Sequence, residues 1–147
     1  MVKFSFLALH ILFGVAGTFL AAIALHFRLL NDGKKVNQFA FYEFLSSMLA
    51  LVTAGVYYII FYQPDKAIII NGKFPLAHEL FMEVKEHVFI MFFLLSLYLQ
   101  FRFWFTETEK DISFIKESKA VLVLIIFLGV FMSVMGILVN IGFRVNQ

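Results

Sequence analysis

The chain of 147 residues has no cysteine, only two prolines and 15% charged residues. Without thiols it can form no disulfide, run no thiol redox chemistry and ligate no iron–sulfur cluster. So few prolines leave long helices without kinks. A net charge of +2, spread along the chain, is too small to mark a nucleic-acid partner. What fills the chain instead is apolar: 62% of the residues are hydrophobic and 21 are Phe. In water such a chain would leave far too much apolar surface exposed, so the solvent it is built for is the lipid bilayer.

The apolar residues fall in four stretches, at about residues 4–30, 39–62, 76–105 and 119–143. A hydrocarbon core of roughly 30 Å takes about 20 residues of helix, and each stretch supplies or nearly supplies them. In lipid every backbone amide must be satisfied within the structure, which leaves helices or a closed barrel. Continuous rather than alternating apolar runs select helices. The expectation is an all-α integral membrane four-helix up-down-up-down bundle forming a single domain over residues 1–147. Lys3 before an apolar run, with Ala21, Ala22 and Ala24 after it, loosely resembles a secretion signal. The run is too long for one, and its basic flank, Arg28, Lys34 and Lys35, follows instead of preceding it.

Arg28, Lys34, Lys35, Arg102, Lys110, Lys116 and Lys119 fall on one side of the membrane, and Lys3, Lys66, Lys73, Lys85 and Arg144 on the other. The positive-inside rule then puts both termini outside, in a bacterial or archaeal inner membrane. In the middle loop, Asn71-Gly72 between apolar flanks signals a small hairpin or turn. The third connector, residues 106–119, alternates acidic and basic residues and reads as a solvated link.

On the first span His10, Gly14, Gly17, Ala21 and Arg28 recur at helical spacing, so a histidine heads a groove of small side chains. Small residues at this spacing let helices approach closely in membranes. A flat cofactor between helices would need the same groove, with a ligand above it. Gly129, Ser133, Gly136 and Asn140 repeat the pattern on the fourth span, and Ala40, Glu43, Ser47, Ala54 and Tyr58 form a stripe on the second. Glu43, counted about a turn inside the span, is expected to pair with His26, Arg28 or Arg102.

The third span opens with the richest segment, in which Pro75 suits a first helical turn. Two faces compete for the interior. His78, Met82, Lys85, Phe89, Ser96 and Gln100 share one, while Glu79, Glu83 and His87 follow the other. Ser96 and Gln100 argue for the first. Depth argues for the second, because His10 and His87 each lie roughly 28 Å up their helices at 1.5 Å per residue. Tyr58 and Asn140 reach the same layer. Glu79, Glu83 and His87 also offer oxygen and nitrogen ligands at helical spacing for a metal ion. As a helix start they are equally an acidic, solvated first turn.

His10-Ile-Leu-Phe-Gly14-Val-Ala-Gly17 on the first span and Lys85-Glu-His87 at the opening of the third resemble the small four-helix b-type cytochromes and the related copper-resistance-D-like membrane proteins. The resemblance implies one haem b near the outer face, its iron held by His10 and His87. Gly14 and Gly17 would make room for the ring, Lys85 would pair with a propionate or a quinone oxygen, and Tyr58 and Asn140 would complete the layer. Electrons would pass between quinone and a respiratory or redox membrane partner. His26, on the opposite face of its helix, points elsewhere, so a second haem has no ligand pair. Two other functions fit the sequence. One is an accessory or assembly subunit that packs its Phe-rich faces against larger partners or in an oligomer. The other is a small proton- or ion-coupled transporter whose polar layers line a path.

Overall fold

The computed structural model describes residues 2–105 and 112–145. They form four long helices: α1 (Val2–Leu29), α2 (Gly33–Ile70), α3 (Ala77–Phe105) and α4 (Ile112–Val145). All four are long and apolar enough to cross a membrane, and among the described residues there is no strand. The fold is the expected all-α four-helix bundle of an integral membrane protein. Helix α1 packs on α2 and α4, and α3 closes the ring by packing on the same two neighbours. The turns at residues 30–32 and 71–76 make successive helices antiparallel.

Small side chains set how closely α1 lies to its neighbours. Gly17 is buried, and a methyl group at its Cα would sit 3.7 Å from the Ser46 side chain and 3.8 Å from the Glu43 carbonyl on α2. On the other side a methyl group at Gly129 of α4 would collide with the Thr18 side chain. Ala21 and Ala24 of α1, Val36 and Ala40 of α2, Phe92 and Leu99 of α3, and Leu122 and Ile125 of α4 fill the core below these contacts. Large apolar residues such as Phe19, Val52, Ile90 and Phe127 point outward, as a lipid-facing surface requires.

Helix α2 does not end at residue 62. It continues through Pro64 to Ile70 by adopting a π-helical turn over Tyr58–Tyr62. Proline has no amide hydrogen and its ring collides with the carbonyl four residues back, so a locally widened turn accommodates it. A second π-helical turn, Ala77–Met82, opens α3 directly opposite the first. Asn71 and Gly72 form the turn between two helices, and their flanks are helical, so the β-hairpin that this pair signals is not formed. Of the connector expected over residues 106–119, residues 106–111 lie outside the described residues. The remainder, from Ile112, forms the first turns of α4.

Asp32 caps α2 by accepting a hydrogen bond from the Lys35 amide at 3.1 Å. That bond, with the Lys35 ammonium beside it, holds the Asp32 carboxyl below its ordinary value. The cap is therefore present above the usual carboxylate range and is lost as the pH falls through the depressed value.

The two glycine contacts differ in a way that mutation reveals. Gly129→Ala forces Thr18 and the α1–α4 contact apart and is expected to cost about 1–3 kcal/mol. Gly14→Ala meets no atom within 4 Å and is expected to be neutral or stabilising by up to about 1 kcal/mol. Thermal unfolding in detergent, followed by circular dichroism, distinguishes the two.

Candidate functional site in the bundle interior

The inward face of α3 is the one that carries Ser96 and Gln100. Both side chains are buried, and the same face continues upward through Phe92, Phe89 and Lys85 to buried His78. Glu79, Glu83 and His87 are exposed on the other side. His87 bonds only within its own helix, through Nδ1 to the Glu83 carbonyl at 2.7 Å. His10 by contrast turns inward: its Nδ1 lies 3.1 Å from the Ala50 carbonyl of α2, and its ring stands edge-on to Phe89, with centroids 6.2 Å apart. A carbonyl only accepts, so Nδ1 carries the proton and Nε2 keeps its lone pair.

His10 and His87 therefore share a layer but not a space. His87 precedes Phe89 by two residues and projects roughly 200° around the helix from it, away from His10. A haem iron with two histidine ligands needs both rings facing one gap, and the residues here do not fit that arrangement. The alternative metal site fares no better. Glu79, Glu83 and His87 all face outward, and among the described residues no three His, Asp or Glu side chains gather as a metal-binding group. Tyr58 is half-buried and stacks on Tyr62 with centroids 5.2 Å apart, while Asn140 is exposed. Gly17 serves close helix packing. His26 is exposed against Phe27, on the far face as expected.

Among the ionisable groups of the described residues, Glu43 is the one buried most completely. It has no exposed surface, and it lies level with Gly17, near the middle of α1. None of the three expected basic partners reaches it. Arg28 is held between the rings of Phe103 and Phe114, 5.6 and 5.5 Å from their centroids, and Arg102 pairs with Glu117 at 3.1 Å. Ser96 instead donates to Glu43 Oε1 at 2.7 Å, and the second carboxyl oxygen, Oε2, has no partner. Gln100, one turn along α3 from Ser96, keeps its side-chain oxygen unpartnered as well. Two buried acceptor oxygens and one hydroxyl thus face the interior with no cation in ion-pair contact among the described residues.

From this point polar groups continue toward the end of the bundle that carries Val2 and Val145. His10 lies next, bonded to Ala50, seven residues and roughly 10 Å along α2 from Glu43. Lys85 follows, its ammonium 3.4 Å from where a side chain on Gly136 would begin. Beyond it the Tyr62 hydroxyl and His78 Nδ1 join the two π-helical turns at 3.0 Å. At the end Asp65 takes Lys3 at 2.6 Å and the Tyr57 hydroxyl at 3.2 Å. Sequence reading missed Tyr57, Tyr62 and Asp65 because their pairing depends on α2 running on past Pro64. No family model, no curated protein and no solved structure matches the chain.

Ser96→Ala removes the hydroxyl that donates to a buried carboxyl group, and the expected cost is about 1–3 kcal/mol. Ser133→Ala serves as the comparison, because that exposed hydroxyl bonds only to the Gly129 carbonyl of its own helix. It is expected to stay within about 0.5 kcal/mol of wild type in the same unfolding measurement.

Proposed function

We propose that the protein is a small proton-coupled membrane transporter in which Glu43 holds the transported proton. The observation that carries this reading is the position of Glu43: in the bundle interior, without exposed surface, with one carboxyl oxygen bonded to Ser96 and the other free. A charge placed there without a cation costs several kcal/mol, and its protonation removes that cost, so proton binding and the packing around the group are coupled. A proton also needs no cavity, which suits an oxygen that packing has closed off. Intramembrane carboxyl groups that face a bundle interior are the usual members of proton relays.

The polar groups above Glu43 support the same reading. Asp65 with Lys3 and Tyr57, then Tyr62 with His78, then Lys85 and His10 alternate groups that hold or pass a proton. The basic residues of the sequence orient the chain with both termini outside, so protons would enter from the end that carries Lys3 and Asp65 and reach Glu43 through the His10 layer.

Protein reconstituted in liposomes with a trapped pH-sensitive dye, under an imposed pH gradient and with a panel of inorganic and organic ions outside, is expected to acidify the lumen in the presence of its co-substrate. Glu43→Gln keeps the shape and the hydrogen bond to Ser96 but holds no transferable proton, and should lower the rate at least about tenfold. Acidification by the E43Q protein at the wild-type rate, or none by wild type under any ion of the panel, overturns the reading.

A further inference from the structure

Above the Thr18–Gly129 contact, α1 and α4 leave a crevice between them. At Gly129 the two helices touch so closely that no side chain fits, yet one turn back along α1 a side chain at Gly14 would meet nothing within 4 Å. Gly14 lies between His10 and Thr18 around the helix, so this open space faces inward toward α4 and not toward lipid alone. On α4 the continuation of the Gly129 stripe is Ser133, Gly136 and Asn140, and Ser133 and Asn140 are exposed. The missing side chain at Gly14 thus leaves a seam that runs from the lipid side into the bundle, and the space beside Gly136 is taken by the Lys85 ammonium.

The floor of this seam is charged. Lys85 crosses from α3 to place its ammonium against Gly136, the nearest contact that a side chain there would make. Lys85 is largely buried but keeps some accessible surface. Among the described residues it has no carboxylate within ion-pair distance, and Glu86, its neighbour in sequence, does not close on it. His10 is within its electrostatic reach. With Nδ1 donating to Ala50, the histidine has an Nε2 lone pair left to accept a hydrogen bond.

We propose that the α1–α4 seam admits an amphiphilic carboxylic acid from the membrane, its carboxyl group held by Lys85 and His10 and its chain lying along Gly14 and Ser133. An oxygen of the head group accepts from the Lys85 ammonium, the strong charge-assisted type of bond. When the head group carries its proton, the hydroxyl donates to His10 Nε2. An alcohol lacks the charge, and a sulfonate lacks the proton. The inference rests on the transport reading insofar as it names the substrate class: a bound acid at the His10 layer stands one step above Glu43 on the proton's way.

The test is photolabelling of the purified protein in nanodiscs with a long-chain carboxylic acid bearing a diazirine, mapped by peptide mass spectrometry. Saturable labelling near Gly14 and Ser133 is expected, displaced by excess decanoate and not by decanol. Lys85→Met and Gly14→Leu should each weaken it by roughly ten- to a hundredfold, the first by removing the cation and the second by filling the space. The first carbon of a side chain at Gly14 meets no atom within 4 Å, and Gly14→Leu, checked for an unchanged helical spectrum, keeps the test sound should the Lys85 variant fold poorly. Labelling spread evenly over the lipid-facing surface, equal competition by decanol, or wild-type labelling of either variant overturns the proposal. Glu43→Gln separates the two readings. Labelling of this variant at the wild-type level alongside wild-type proton flux would remove Glu43 as proton carrier and leave the acid site standing.

Discussion

The close approach of α1 to both of its neighbours, Gly17 against α2 and Thr18 against Gly129 of α4, is the contact from which the interior follows. In lipid no hydrophobic force draws helices together, so packing of small residues has to supply the attraction. It also sets the distance at which larger groups meet. With α1 lying on the Glu43 backbone, the Glu43 side chain is turned away from lipid toward α3, where Ser96 is the group in reach. The same contact decides where packing stops, because the next turn of α1 carries a glycine that nothing fills.

Burial and openness are therefore produced by one device used in two registers. Gly129 against Thr18 closes the seam; Gly14, one turn back along α1, leaves it open. The interior is polar in both halves but differs in kind. Around Glu43 and Gln100 it holds acceptor oxygens with no surface, and around Lys85 and His10 it holds nitrogen groups that retain some.

Apolar run length was enough to read the four helices and their order, because lipid permits few other solutions for such a chain. The stripe Gly14–Gly17–Ala21 was legible as a packing surface, whereas on α4 Gly129 is buried and Ser133 and Asn140 of the same stripe are exposed; Ser96 with Gln100 pointed to the inner face of α3. His87 was misplaced for a specific reason. Counting residues along a helix gives depth, while contact also needs azimuth, and the two histidines agree only in the first. Glu43 was misjudged the other way. Its distance from the charged turn suggested a surface partner, but the level that matters is that of Gly17, known only once α1 and α2 are docked. The continuation of α2 past Pro64 was hidden, since a π-helical turn leaves no periodic signature over five residues.

Those facing π-helical turns at Tyr58–Tyr62 and Ala77–Met82 carry a mechanical consequence. A π-helical turn is an α-helix with one extra residue taken in, and expelling that residue shifts everything beyond it by about 1.5 Å and 100°. Because the two turns are joined through Tyr62 and His78, the outer ends of α2 and α3 would shift together, while Gly17 and Gly129 hold the lower half in register. The bundle thus resembles a fixed barrel with a screw cap, in which Asp65 and Lys3 are the catch.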